Sequence, residues 1–278
     1  MAPMCLGHQA GDRAVMTTSS AAVVSVLTTG PAPRRRPGRV RRIFLAAAAF
    51  LTCALPLVFT VNITRMLVTG VESDHQFHQA TGQGLVLFVL WLGALVPLIR
   101  AGWRGDRPSV AAGYRHLAFV VVGAVCAALA PGGGAPILVG VIAVTGVLLW
   151  WALPQRPELR GTFEVHPVLM PVALLITAVL VPYAIDQLRL QNAATTGHHS
   201  QNPHLFDMAW LVIVVMVLAL VGALVREARG AFAWVGGCLA ATGTAGLVFG
   251  EPVVWSGAVL ALGMVAGLAA AETRKTRP

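Results

Sequence analysis

Eight stretches of this chain run for 18 to 20 residues without an Asp, Glu, Lys or Arg, at approximately 43–61, 80–99, 117–135, 136–153, 168–185, 208–225, 231–250 and 253–271. A helix needs about 20 mostly apolar residues to cross roughly 30 Å of hydrocarbon, because only intrahelical bonds satisfy its backbone there. The pattern therefore predicts an all-α polytopic membrane protein with eight transmembrane helices. Only Pro131-Gly132-Gly133-Gly134-Ala135-Pro136 separates the third stretch from the fourth, a tight turn. A six-span alternative would make that pair a re-entrant hairpin.

Charge placement decides between the two counts. With the N-terminus inside, eight spans put 18 of the 20 Lys and Arg residues on the inner side and leave only Arg65 and Arg189 outside. This positive-inside bias places both termini in the cytoplasm. The net charge of +9 and pI near 10.9 then report topology and contact with the bilayer. Anionic lipid is the expected partner of the Arg-rich N-terminal tail, and nucleic acid is not. The expected location is the cytoplasmic membrane of a bacterium.

Composition agrees. The chain is 56% hydrophobic and 11% charged, with mean hydropathy +0.74, against about 25% charged residues in soluble domains. Four cysteines are too few for a disulfide scaffold. Cys53, Cys126 and Cys238 each sit alone in a span and read as small core residues. Residues 1–42 form a basic, disordered cytoplasmic tail, with Met16 as an alternative start. Residues 43–272 form the transmembrane domain, and 273–278 a cytoplasmic C-terminus. Arg41-Arg42-Ile43-Phe44-Leu45 is similar to a twin-arginine export signal, but seven further spans favour a signal anchor. Trp103, Trp150, Trp151 and Trp234 fall near inner span ends and Trp210 and Trp255 near outer ends, as an interfacial belt would. Trp91 lies inside a span and reads as packing.

The chain also matches itself at an offset of 126 residues. Pro56 falls on Pro182, His78 on His204 and Arg100 on Arg226. Each half, approximately 43–153 and 168–271, has a span, a long outer loop, a span, an Arg-bearing inner loop, and two spans joined by a short outer turn. This predicts a 4+4 parallel internal repeat about an axis along the membrane normal. Gly246/Gly250 and Gly263/Gly267 are small-xxx-small pairs expected to bring the last two spans together.

No ionisable side chain is forced into the middle of a span, which disfavours a proton relay or ion-coupled pump. Chemistry concentrates outside instead. Five of the eight histidines fall in the outer segments: His75, His78, His198, His199 and His204. Acidic neighbours there are Glu72, Asp74, Asp186, Asp207 and Glu251. His75-x-x-His78 and His204-x-x-Asp207 each precede a span, a spacing that sets both members on one helical face. Imidazole with carboxylate suits zinc or copper. The candidate metal set is His75, His78, His204 and Asp207, with His199 in reserve. His116 and His166 read as interfacial.

No Walker loop, dinucleotide fingerprint or nucleophile elbow is present, so an enzyme is not the first expectation. The leading expectation is a membrane protein that handles or senses a transition metal. The alternatives are a small-molecule or lipid carrier, a metal-dependent membrane hydrolase with Glu72, Asp74 or Asp186 as general base, and a scaffold subunit.

Overall fold

The computed structural model describes residues 38–70 and 76–275. They form eight helices long and apolar enough to cross a membrane: α1 (Arg39–Thr69), α2 (Gln76–Arg104), α3 (Val110–Leu129), α4 (Ala135–Ala152), α5 (Leu169–Ala193), α6 (His204–Leu224), α7 (Ala231–Val248) and α8 (Val253–Lys275). There is no strand among the described residues, only an isolated antiparallel bridge between Phe163 and Val225. The chain is an all-α, multi-pass membrane protein. α3 and α4 are separate helices joined by the short turn at residues 130–134, with Ala135 and Pro136 already opening α4. The expected tail lies, up to residue 37, outside the described residues.

Helix ends differ from the apolar runs in one systematic way. α1 and α5 continue to Thr69 and Ala193, and α2 and α6 begin at Gln76 and His204. The two long outer loops are thus mostly helical, because polar residues end an apolar run without ending a helix. At 1.5 Å per residue the 31 residues of α1 span about 46 Å, well beyond the hydrocarbon. α2 is also not uniformly α-helical. Gln79–Leu92 is a π-helix, in which Gly82 and Gly84 weaken the α preference.

Consecutive helices alternate in direction, so the arginines of α1's start, the 104–110 turn, the 153–168 linker and the 225–230 turn share one end. Arg65 and Arg189 lie at the other, histidine-rich end. Within the first half α1 packs on α2, α2 on α3, α3 on α4 and α4 back on α1; α5 to α8 close in the same order. The halves meet through α2 on α6, α3 on α6 and α2 on α7. α6 is the central helix, buried on every side from His204 to Val212 and half-exposed beyond that only along Ile213, Val217, Leu220, Val221 and Leu224, as an element apolar on every side is expected to be. α7 and α8 approach at their glycines: a Cβ on Gly236 would lie 2.7 Å from the Gly267 nitrogen, and one on Gly263 2.4 Å from the Ala240 nitrogen.

An aromatic stack fills the centre. Trp150, His116, Trp91, Phe119, Trp210 and Phe206 follow one another with ring centroids 5.4, 5.3, 5.0, 4.5 and 5.6 Å apart. This corrects two expectations. Trp210 is fully buried rather than interfacial, because α6 runs through the middle of the bundle. His116 is buried rather than interfacial, because α3 begins at Val110 and carries it inward to rest between Trp91 and Trp150. Trp103 and Trp151 are exposed, as belt residues should be, and Trp91 packs in the core. Cys126 and Cys238 are buried and Cys53 half-buried, all free thiols.

At the arginine-rich end the 153–168 linker is fastened to the α6–α7 turn. The Glu164 and His166 amides donate to the Leu224 and Ala223 carbonyls at 2.8 and 2.9 Å. The Glu164 carboxylate accepts from Arg226 Nε at 2.6 Å and Arg229 Nη2 at 2.7 Å. These two guanidinium groups hold it below the ordinary carboxylate range. Glu227 accepts from the Thr162 amide and hydroxyl at 2.8 and 3.0 Å.

Candidate functional site

The polar residues of the histidine-rich end surround a pocket of about 430 Å³. One wall is a face of α1, where Phe59, Asn62, Met66 and Thr69 recur at helical spacing with Arg65 beside them. The second wall is the start of α2, which contributes Gln79 and Gln83. Both glutamines are almost fully buried. The third wall is His198 and Asn202, from the short helical turn His198–Gln201 and its end, together with His204 at the head of α6.

That third wall is held from behind. Gln191 of α5 donates to the His199 carbonyl at 2.9 Å and accepts from the Phe206 amide at 3.2 Å. Asn202 donates to the His198 carbonyl at 3.2 Å. Gly133, in the α3–α4 turn, has φ +62°, and a Cβ there would lie 2.7 Å from the Asn202 carbonyl carbon. Only glycine meets both conditions.

The imidazoles are wired into this frame. Gln83 Nε2 lies 3.2 Å from His204 Nδ1. An amide nitrogen can only donate, so His204 Nδ1 accepts and a neutral His204 carries its proton on Nε2. That proton points at His198 Nε2, 2.8 Å away, with the two rings stacked at 4.9 Å. His199 touches both sides of the cluster, its ring centroid 6.1 Å from His204 and 6.5 Å from His78.

Of the expected metal set, the structure brings His204 and the reserve His199 together and sets His78 beside them. His75 lies outside the described residues, as do Glu72 and Asp74. Asp207 is buried one turn below His204, behind the pocket wall, against Gly82 and Met208. Its Cβ is 3.2 Å from where a Gly82 Cβ would begin, and its Oδ2 has no hydrogen-bond partner. Among the described residues no group of three or more His, Cys, Asp or Glu side chains is placed to share one metal ion. Two other acidic candidates stand apart from the pocket wall: Asp186 pairs with Arg189 at 3.8 Å on the surface, and burial pushes the Glu251 carboxyl up.

The pocket residues outside the histidine count are those that reading for metal ligands passes over: Asn62, Arg65, Thr69, Gln79, Gln83 and Asn202. A signal for them exists. Gln79 and Gln83 stand four apart at the head of an apolar run, and Arg65 is one of two arginines on the histidine side. Chemically the wall is rich in donors, carries one permanent positive charge and contains no carboxylate among its described residues.

The fold and this pocket define a multi-pass helical membrane protein with a polar pocket at one end. No protein-family model, curated protein or solved structure matches the chain.

Proposed function

We propose that this protein sits in a bacterial cytoplasmic membrane with its histidine-rich end outward, and that it binds a small, hydrogen-bonding, negatively charged molecule in the pocket between α1, α2 and α6. The observation that carries this reading is the pocket wall itself: Arg65, four side-chain amides, Thr69 and two imidazoles lining one space, with no carboxylate among the described lining residues. The exposed Arg65 guanidinium brings a positive charge to hydrogen-bonding side chains on all three walls, and an organic carboxylate or phosphate would complement both. The segregation of arginine to the opposite end supports the orientation, and the same basic end supports contact of the Arg-rich N-terminal tail with anionic lipid.

A duplicated architecture accompanies this reading. The two four-helix rings close in the same order, and the α3–α6 and α2–α7 contacts exchange under a twofold. Gly82 abuts Met208, the residue 126 positions later, as a position near such an axis must. The copies then diverged. The counterparts of Phe59, Asn62, Arg65, Gln79 and Gln83 are Ile185, Leu188, Gln191, Leu205 and Ala209, so only one of the four polar positions stays polar in the second half, as expected if one copy kept the site and the other became its support. The aromatic stack closes the centre of the bundle, so this conformation suits capture at one face, the first step of a carrier or a sensor.

The test is thermal stabilisation of the purified full chain by a panel of small carboxylates, phosphates, amines and sugars, since a ligand that binds only the folded state raises Tm. A carboxylate or phosphate should raise Tm, and Arg65→Gln should remove the shift. Stabilisation by amines alone, or an anion shift untouched by Arg65→Gln, overturns the reading.

A second reading is favoured by one observation, the mutual ring contacts of His78, His198, His199 and His204. Rotation of the stacked His198 and His204 rings would turn this cluster into a nitrogen site for zinc or copper. Stoichiometric Zn²⁺ or Cu²⁺ binding that is lost in His204→Ala would support it. Equal binding by the variant would remove it.

A further inference from the structure

We propose that the arginine-rich end holds one anionic phospholipid in the cleft between the first turn of α1 and the last turn of α4. The cleft has a volume of about 560 Å³, within the range of small-molecule sites. Its floor is apolar: Phe44 and Trp151, both more than half exposed, meet edge to face with centroids 6.4 Å apart. Its rim carries Arg39, Arg41 and Arg156.

The rim charge is built into the fold. Arg41 donates from Nε to the Ala152 carbonyl at 3.3 Å and from Nη2 to the Leu153 carbonyl. It thereby caps the C-terminal end of α4, where cations are favoured, and pins α1 against α4 while keeping its charge. Arg39 and Arg156 are exposed. Elsewhere on the same end the carboxylates are spent on other arginines: Glu158 on Arg107, and Glu164 on Arg226 and Arg229. Among the described residues no carboxylate lies in ion-pair distance of Arg39, Arg41 or Arg156. This corner combines uncompensated arginines with an aromatic floor and an enclosing cleft.

Charge complementarity and position select the occupant. The floor continues into the outward faces of α1 and α4, where Ile43, Leu51, Val144 and Val147 are exposed and acyl chains must lie. A phosphodiester at the rim would meet Arg39 and Arg156 while its chains run down Phe44 and Trp151. The chain's own first 37 residues carry four arginines and a single acid, Asp12, a charge that does not complement a basic rim. Inorganic phosphate has the headgroup's charge without the chains that the floor would bury.

Native mass spectrometry of the full-length protein, titrated with phosphatidylglycerol or phosphatidylcholine, tests this. One phosphatidylglycerol should be retained about tenfold or more tightly than phosphatidylcholine. Arg39→Gln/Arg156→Gln should abolish that preference, whereas Arg100→Gln/Arg104→Gln, an equal charge change at the same end but outside the cleft, should preserve it. A benzophenone side chain replacing Trp151 should crosslink to lipid, which keeps the test valid on an otherwise unaltered charge background. Equal loss in both double variants would show diffuse attraction instead of a site. Displacement of the lipid by millimolar inorganic phosphate would make it a simple anion site. A crosslink to the N-terminal tail would give the cleft to the chain itself. Any of these three results overturns the proposal.

Discussion

Single side chains repair defects that the sequence builds into its own helices. Pro56 lies inside α1 and cannot donate to the carbonyl four residues back, which belongs to Thr52. Trp91 Nε1 donates to that carbonyl at 3.2 Å, so an indole on α2 supplies the hydrogen bond that proline removed from α1. Trp91→Phe should therefore cost about 1–3 kcal/mol, the penalty of an unsatisfied buried acceptor. In a Pro56→Ala background the restored amide takes over the carbonyl, and the same change should cost clearly less. Chemical denaturation of the four proteins in detergent measures the coupling as a double-mutant cycle; purely additive costs would refute the repair. Gly123 meets Trp210 in another way. A Cβ there would stand 2.6 Å from the indole, so Gly123→Ala should destabilise by about 1–3 kcal/mol through overpacking, read in the same unfolding experiment.

At the scale of elements, the joints between helices are polar and titratable even though the helices are not. The clasp of Glu164 on Arg226 and Arg229 ties the linker between the halves to the α6–α7 turn. Because the folded carboxylate sits below its ordinary value of 4.5, the clasp contributes fully above that pH and is lost as pH falls through the lower folded value. Amide exchange at residues 162–166 should thus be protected at pH 7 and rise on acidification below about 4.5, and Glu164→Gln should show the faster exchange already at pH 7 relative to the native clasp. Exchange that ignores both changes would mean the backbone bonds alone hold the linker. Gly133 plays the matching part at the opposite end. Gly133→Ala should displace the 198–203 segment by steric contact with Asn202 and Pro203, lowering Tm and weakening any ligand of the pocket more than Gly134→Ala, which has open space around it.

The whole molecule is organised by the separation of its two ends. Reporter fusions at Gly197 should be active only as exported reporters, and fusions at Gly105 only as cytoplasmic ones; an exported signal at Gly105 reverses the orientation proposed above. The same separation distributes chemistry. The histidine-rich end has one arginine lining a polar pocket, while at the opposite end some arginines are matched to glutamates and others line an aromatic cleft. Between them lies the stack of rings, five apolar or indole rings and the buried imidazole of His116. The two proposed sites therefore lie at opposite ends of the helix bundle.

The number of helices and the class of protein were legible in the chain alone, because hydrocarbon tolerates only long apolar helices and this constraint acts locally on each 18-residue run. The contact of α7 with α8 was legible too, since glycine spacing is a local statement about close approach. The helix ends were not: the polar ends of α1, α2, α5 and α6 are helical by backbone bonding that side-chain hydropathy does not report. The burial of His116 and Trp210 was likewise hidden, since it depends on which helix occupies the centre. The candidate site divided in the same way. Its histidines announced themselves by number, but Asn62, Arg65, Gln79, Gln83 and Asn202 come from three separate segments, and no spacing along the chain relates them. Only the packing of α1, α2 and α6, with Gly133 and Gln191 bracing the third wall, turned scattered polar residues into one pocket, because convergence in space is a property of the assembled bundle and of no single helix.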